Sequence, residues 1–285
     1  MSKFILSAFA DEIDADLKTQ MDVLDTHGIK YIEMRGVNGR NLVQHSIDEV
    51  REIKKQLDDR GFKISAVGSP IGKIRITEDF GPHLDVFKHT LEIASVLETK
   101  YIRMFSFYIP FGASPESYRD EVMKRWSEFI KAAEGYGKIL VHENEKGIYG
   151  DTPERCLDLL KTMDCDYMKA VFDPANFIQC DVETYPHAFN MLKGHIAYLH
   201  IKDARFEDHK VLPSGYGDGK IKNILQDLYD SGFEGFLSLE PHLASFKGFA
   251  ELEPDAKIND MPEGGPKQFA MAVYALKKIL SEIEG

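Results

Sequence analysis

Four short polar segments in the second half of the chain carry side chains of the types that bind metal ions. They are H-E-N-E at 142–145, D-P-A-N at 173–176, H-I-K-D at 200–203 and E-P-H at 240–242. Two glutamates, one aspartate and one histidine from these segments make an oxygen-rich set that suits Mn²⁺ or Mg²⁺, with Co²⁺ or Zn²⁺ as alternatives. With four protein ligands, an octahedral ion would keep positions open for substrate oxygens.

Further polar residues accompany these candidates. Side chains two positions apart on a strand share one side, so the following pairs face together: Glu143 with Glu145, His200 with Lys202, and Glu240 with His242. We expect Glu145, Lys202 and His242 to contact the substrate or to support the ligands. Glu33 and Arg35 end an earlier apolar run and also face together. They are candidates for holding the far end of the substrate, with an ion pair inside the fold as the alternative reading.

The elements that must position these residues alternate between strand and helix. Eight apolar runs of strand length occur, at 4–8, 31–34, 64–67, 101–107, 139–142, 168–172, 196–201 and 235–239, with amphipathic stretches of helical period between them. This order predicts one (β/α)8 TIM barrel over residues 1–285, closed by a final helix at 266–283. An open doubly wound sheet is less favoured, because no G-x-G-x-x-G follows the first run. In a barrel, the carboxyl ends of all the strands meet at one mouth.

Composition restricts the classes of partner. The 285 residues are 43% hydrophobic and 29% charged, and the formal net charge is -12. This charge opposes binding to nucleic acid or to an anionic membrane surface, both of which need a basic face. The apolar run at 4–10 is too short to span a bilayer and leads into Asp11-Glu12 rather than a cleavage site. We therefore expect a cytoplasmic protein that acts on a small molecule.

Two long stretches rich in glycine, proline and polar residues follow predicted strands. They are Ser69 to Pro82 and His242 to Pro266. Loops that follow the strands of a barrel overhang its active-site face, so these two are candidates for a lid or an oligomer contact. Solvated connectors are the alternative.

Five motifs together resemble one known family, the xylose isomerase-like barrels. They are V-H-E-N at 141–144, F-D-P-A-N-F at 172–177, L-H-I-K-D-A at 199–204, P-S-G-Y-G-D-G at 213–219 and L-S-L-E-P-H at 237–242. The resemblance spans nearly the whole chain. The family includes sugar isomerases and epimerases as well as the endonuclease IV branch.

This resemblance implies a ligand set and a reaction. Glu143, Asp173, His200 and Glu240 would bind one divalent ion, with Mn²⁺ expected, and Glu143 and Glu240 would also be the acid and base of the ketose epimerase branch. An ion that polarises a carbonyl acidifies the neighbouring carbon-bound proton, which one carboxylate removes to give a cis-enediolate and another returns. Arg205 resembles the family's substrate-contacting arginine. The implied substrate is a sugar or a polyol-derived ketone, and the implied assembly is a homodimer or homotetramer.

Other readings remain beside the isomerase or epimerase. A lyase shares the enolisation step and then expels a β-hydroxyl, as in the related inosose dehydratases. An abasic-site endonuclease is disfavoured by the acidic charge and by Asn176, which stands where many relatives carry a histidine. A non-catalytic sugar-binding barrel is disfavoured because Glu143 and Glu240 are both present.

Overall fold

Eight parallel strands form a nearly closed barrel in the computed structural model, which describes residues 3–243, 246, 253 and 256–285. They are β1 (Lys3–Ala8), β2 (Tyr31–Met34), β3 (Lys63–Val67), β4 (Tyr101–Met104), β5 (Ile139–Glu143), β6 (Met168–Phe172), β7 (Ile196–Ile201) and β8 (Glu234–Leu239). Neighbours follow the order β1-β8-β7-β6-β5-β4-β3-β2, and β1 also lies against β2. The predicted (β/α)8 barrel is confirmed.

A helical segment follows each barrel strand. The helices are α1 (Leu17–Thr26), α2 (Ile47–Asp59), α3 (Gly81–Val96), α4 (Arg119–Ala133), α5 (Pro153–Met163), α6 (Pro174–Ile178), α7 (Phe189–Leu192), α8 (Ile221–Asp230) and α9 (Gly265–Glu284). Their buried residues recur at helical spacing, as at Leu17, Met21 and Leu24 of α1. These faces cover the outside of the barrel. Within the described ranges, none of the helices combines the length and apolar character that a membrane crossing requires.

Side-chain caps fix where several helices begin. The Thr152 hydroxyl accepts from the Arg155 amide and Pro153 opens α5. Asp16 caps α1, where its side chain accepts from Thr19 N. The Asp14 side chain accepts from Asp16 N at 2.8 Å, which holds the preceding turn. These caps satisfy backbone N–H groups that the first turn of a helix leaves without partners.

The fourth strand is shorter than its apolar run. We predicted strand through Phe107, whereas β4 ends at Met104. The amides of Phe105 and Phe107 donate to the carbonyls of Ile71 and Gly72 rather than to a neighbouring barrel strand. Phe107 has a φ of +66°, which is incompatible with strand geometry. The chain therefore leaves the barrel to pack on the loop after β3.

That loop, at 69–80, lies packed against the barrel mouth. Ile71 and Ile76 are buried, and Gly72 N donates to His83 Nε2 at 2.7 Å. It is therefore not the solvated connector that was the alternative reading. Of the second predicted loop, His242–Pro266, residues 244–245, 247–252 and 254–255 lie outside the described part of the chain.

The interior of the barrel below the mouth is filled by hydroxyl groups and aromatic rings. Ser7 Oγ lies 2.6 Å from Ser65 Oγ, which lies 2.8 Å from the Tyr198 hydroxyl. The Tyr198 ring packs against Tyr101 and Phe236. These hydrogen bonds satisfy the buried hydroxyls, as an interior of low dielectric requires. The layer forms a solid floor beneath the carboxyl ends of the strands.

Candidate metal centre

Four ligand-type side chains converge at the carboxyl ends of consecutive strands. Glu143 ends β5, Asp173 follows β6, His200 lies on β7 and Glu240 follows β8. Each is at most 3% exposed, and their ligand atoms all lie within 4.8 Å of one another. His200 Nδ1 is 3.1 Å from Glu143 Oε1, 3.7 Å from Asp173 Oδ2 and 3.6 Å from Glu240 Oε2. The barrel therefore brings the four predicted ligands to one point.

The chemistry of this cluster fits a divalent ion. His200 Nδ1 is buried without a hydrogen-bond partner, and Asp173 Oδ2 makes no hydrogen bond either, although Lys202 Nζ lies 3.0 Å away. Buried polar atoms normally have partners, so these two mark a place where another group would bind. Three carboxylates and one imidazole nitrogen are a donor set for Mn²⁺, Mg²⁺ or Zn²⁺.

The D-P-A-N segment at 173–176 fixes the aspartate and one glutamate. Asp173 Oδ1 caps α6 by accepting from Asn176 N at 2.9 Å, which leaves Oδ2 facing the cluster. The Asn144 side chain exchanges two hydrogen bonds with the backbone of Asp173. Asn176 Nδ2 donates to Glu143 Oε1 at 3.0 Å. Asn176 thus holds one carboxylate oxygen of the predicted ligand Glu143.

Arg103 on β4 holds Glu143. Its Nη1 lies 3.2 Å from Glu143 Oε2, and its Nη2 donates to Gly68 O at 3.1 Å. Burial alone would raise the pKa of Glu143, but the positive charges of His200 and Arg103 outweigh it and lower that pKa to about 2. Glu143 is therefore ionised at neutral pH.

Glu240 is held by three cationic side chains. Lys202 Nζ lies 3.0 Å from its Oε2, while Arg35 Nη1 and His242 Nε2 lie 3.0 and 3.1 Å from its Oε1. Burial opposes ionisation, but Lys202, His242 and His200 together hold the pKa of Glu240 well below its usual range. Both predicted acid and base residues are thus carboxylates in contact with cations.

The loop after β1 adds two residues that the sequence reasoning missed. Arg35 Nε lies 2.8 Å from Asp11 Oδ2, and Arg35 Nη2 lies 3.3 Å from Glu12 Oε1. Glu12 Oε2 also accepts from His242 N at 2.7 Å. Asp11-Glu12 follows the first strand as the other candidates follow theirs, so the same strand-end rule would have found them. They orient Arg35 and His242 toward Glu240.

A cavity of about 230 Å³ opens above the cluster. The predicted substrate contacts Arg35, Lys202, Glu145 and His242 line it, and Arg103 lies in its wall. Lys73, from the loop after β3, pairs with Glu145 at 2.8 Å across one side. Further lining residues are Asn41, Pro70, Glu143, Asn176, Gln179, Val211 and Glu240. Most of the residues predicted to contact the substrate thus line this one small polar cavity.

Two predicted substrate contacts lie elsewhere. Glu33 is buried beneath the cavity, and both of its carboxylate oxygens lie 3.2–3.3 Å from His200 Nε2. The Arg205 side chain is 41% exposed and pairs with Asp208 at 2.7 Å. Neither is among the residues that line the cavity. Their contact with a substrate stays a prediction.

Comparison with known protein families agrees with the fold. A family model described as xylose isomerase-like TIM barrel matches residues 21–261, which is most of the chain and includes all four clustered residues. The chain belongs to this family. An uncharacterised protein of Methanocaldococcus jannaschii is 26% identical over 164 residues, which are 55% of this chain and 56% of the archaeal protein. The match therefore spans little more than half of that relative.

Several solved structures superpose on this one. A D-tagatose 3-epimerase-like protein matches with a TM-score of 0.75 at 19% identity over 99% of this chain and 98% of the other. The IolI protein with a bound zinc atom gives 0.73 at 18% identity over 99% of both chains. A probable 3-DHS dehydratase from Bacillus anthracis gives 0.68 at 17% identity over 84% of this chain and 92% of the other. These identities are low, so the likeness establishes the shared fold.

The P-S-G-Y-G-D-G segment of this xylose isomerase-like barrel forms around the carboxylate of Asp203. That carboxylate accepts four backbone hydrogen bonds at 2.9–3.1 Å, from Ala204, Gly215, Gly217 and Gly219. A Cβ at Gly217 would lie 2.4 Å from Asp203 Oδ1, which explains the glycine there. The segment is therefore built as a cap on the turn after Lys202.

Proposed function

We propose that this protein is a divalent-metal-dependent sugar isomerase or epimerase with Glu143 and Glu240 as its acid and base. Glu143, Asp173, His200 and Glu240 would hold one ion, with Mn²⁺ expected and Mg²⁺, Co²⁺ or Zn²⁺ as alternatives. The observation that carries the proposal is the convergence of these buried side chains beneath a small polar cavity. A bound divalent ion supplies polarisation of the substrate carbonyl, which acidifies the proton on the adjacent carbon.

The protein's own residues would then move that proton. One glutamate removes it to give a cis-enediolate, and the other returns a proton to the same or the adjacent carbon. Arg103 Nη1 lies 3.2 Å from Glu143 and 3.8 Å from Glu240, so one cation contacts both carboxylates. It would stabilise whichever glutamate remains ionised while the other is protonated.

The cavity favours a substrate the size of a monosaccharide. Its volume of about 230 Å³ is below the roughly 300–1,000 Å³ of pockets for drug-sized ligands. Lys73, Glu145, Lys202 and His242 offer charged donors and acceptors for hydroxyl groups. A ketose or a polyol-derived ketone fits this chemistry. A cytoplasmic location and a homodimer or homotetramer stay predictions from the sequence.

The test is exchange of carbon-bound hydrogen in D2O, followed by NMR over a panel of ketoses, aldoses and inososes. Protein would be reconstituted with Mn²⁺ to about one ion per chain, and the manganese would be chelated before spectra are taken. We expect metal-dependent exchange with at least one compound. Loss of turnover in Glu143→Gln and in Glu240→Gln, at retained fold, would support their acid and base roles.

Glu154→Gln serves as the matched control, because Glu154 lies on the outer helix α5, where it pairs with His187. The Glu154→Gln protein should catalyse exchange of the substrate's carbon-bound hydrogen at the wild-type rate. Near-normal activity in either active-site variant would remove that residue from the acid and base pair. No exchange from metal-loaded wild-type protein across the panel would refute the proposed reaction on these substrates.

A lyase is the second candidate. One solved structure of the same fold is a probable 3-DHS dehydratase. The Lys202 ammonium is buried, lines the cavity and lies 3.0 Å from Glu240 Oε2, so it would place a positive charge beside a proposed base, where it would stabilise a departing hydroxyl. Product mass distinguishes the two reactions: it falls by one water for a dehydratase and is unchanged for an isomerase or epimerase.

A further inference from the structure

A buried carboxylate lies directly behind the candidate metal ligand His200. Glu33, on β2, is 1% exposed, and its Oε1 and Oε2 lie 3.3 and 3.2 Å from His200 Nε2. Within the described part of the chain, the Glu33 carboxylate makes no other side-chain hydrogen bond. Its buried oxygens therefore depend on His200 for their partner.

This contact determines which nitrogen of His200 carries hydrogen. A carboxylate can only accept, so Nε2 must be the donor. In the metal-free cluster His200 is a cation among carboxylates, with its pKa raised by Glu143 and Glu33 despite burial. In the neutral ring that a metal ion requires, Nε2 keeps its hydrogen for Glu33 and the lone pair lies on Nδ1. Nδ1 is the nitrogen that faces the carboxylates of Glu143, Asp173 and Glu240. A metal ligand needs that lone pair free, and the second nitrogen of a metal-binding histidine usually donates to an oxygen acceptor.

The packing around the ring cannot select this orientation by itself. Phe9 and Tyr198 both meet the imidazole edge to face, at centroid distances of 5.1 and 6.0 Å. A half-turn of the ring about its Cβ–Cγ bond nearly preserves its shape, so these apolar contacts would change little. The same half-turn would put carbon atoms in place of both nitrogens. Glu33 distinguishes the two orientations because it needs an N–H donor.

We propose that Glu33 is a positioning residue that holds His200 in the orientation and tautomer presenting Nδ1 to the metal ion. This inference rests on the metal centre of the proposed function and deepens it. It gives Glu33 a role different from the substrate contact that its sequence position suggests. It also predicts that the affinity for metal depends on a residue that does not contact the ion.

The test compares Glu33→Gln and Glu33→Leu with the wild type. Glutamine keeps one acceptor but loses the charge, whereas leucine removes the acceptor and keeps an apolar side chain in the interior. Loss of the group that accepts a hydrogen bond from a metal-binding histidine typically weakens metal binding about 10–100-fold. We expect calorimetric titration with Mn²⁺ to show that loss in Glu33→Leu and a smaller one in Glu33→Gln. Asp158→Asn is the control, because Asp158 pairs with Arg119 and Tyr149 outside the barrel mouth.

The orientation itself is read by NMR of Zn²⁺-loaded protein with ¹⁵N-labelled histidine, assigned with a His200→Gln variant. We expect the wild type to show zinc on Nδ1 and a slowly exchanging proton on Nε2, and Glu33→Leu to lose that slow proton. Circular dichroism and the melting temperature establish that each variant is folded. Should Glu33→Leu not fold, Glu33→Gln alone carries the comparison.

Wild-type Mn²⁺ affinity in the folded variants would overturn the inference, and so would zinc on Nε2 in the wild type. These outcomes are separate from failure of the proposed reaction. A wild type that binds one metal through Nδ1 but exchanges no substrate hydrogen would refute the reaction and leave the role of Glu33 standing. A wild type that binds no metal would overturn both.

Discussion

Replacing Asp203 with asparagine should lower the free energy of unfolding, and the hydrogen bonds that its carboxylate accepts indicate by how much. Its Oδ1 accepts from Ala204 N and Gly219 N, both at 2.9 Å, and its Oδ2 accepts from Gly215 N and Gly217 N at 2.9 and 3.1 Å. Asparagine keeps one oxygen, so two N–H groups would face an amide group that cannot accept. Hydrogen bonds to a charged group contribute about 1.5–3 kcal/mol each, so two lost bonds cost about 3–6 kcal/mol.

The lower part of that range is expected, because burial raises the pKa of Asp203 despite its four donors. Desolvation of the charge therefore already offsets part of the gain, and we expect a loss of about 3 kcal/mol in the free energy of unfolding. Urea denaturation followed by circular dichroism measures it, with an unchanged m-value showing that the unfolded state is the same. Asp208→Asn should leave stability unchanged, because Asp208 forms an ion pair with Arg205 at the exposed surface. A loss below about 1 kcal/mol for Asp203→Asn would refute this reasoning.

Substitutions in and around the mouth of the barrel give three further tests. Asp173→Asn and His200→Ala should each lower metal content, measured by plasma mass spectrometry after gel filtration, and full retention would remove that residue from the site. Stability should fall as pH drops from 6.5 toward 4, because burial lowers the pKa of His83 to about 4 and the unfolded chain takes up the proton first. Urea titrations over this pH range give the slope of the unfolding free energy against pH. His83→Asn should flatten that slope, because each unit of pKa shift corresponds to about 1.4 kcal/mol. An unchanged slope would contradict the role of His83. Gly72→Ala should lower the melting temperature markedly, since its φ is +93° and a Cβ would lie 2.1 Å from a carbonyl oxygen, while Gly39→Ala, at +75° with open space around it, should lower it much less.

The periodic features of the sequence predicted the barrel because they report burial directly. The runs at 31–34, 168–172 and 196–201 match β2, β6 and β7 at both ends. The run at 101–107 is too long, because the backbone of Phe105 and Phe107 pairs with the loop after β3 and the buried Phe107 ring packs on Phe80 and on Phe129 of α4. An apolar run shows that residues are buried without showing which partner buries them.

The candidate site could be predicted where it followed from strand ends. That rule brought Asp173 and His200 to the same mouth from distant positions in sequence. It could not give depth along the barrel axis. Glu33 and Arg35 face the same way, yet Glu33 contacts His200 below the cavity and Arg35 contacts Glu240 in its wall. The height of a residue along the barrel axis, relative to residues on other strands, depends on how the strands are staggered. The hydrophobic periodicity of a single sequence does not give this stagger.

The distribution of the four predicted ligands over β5 to β8 has a consequence for the newly made chain. At roughly 5–20 residues per second, some 5–20 s separate the synthesis of Glu143 from that of Glu240. During this interval a ribosome-bound chain carries an incomplete set of ligands and has no strand β8 to close the sheet. An ion held by all four residues can therefore bind only to the completed barrel, and by mass action it stabilises the finished fold and no earlier stage.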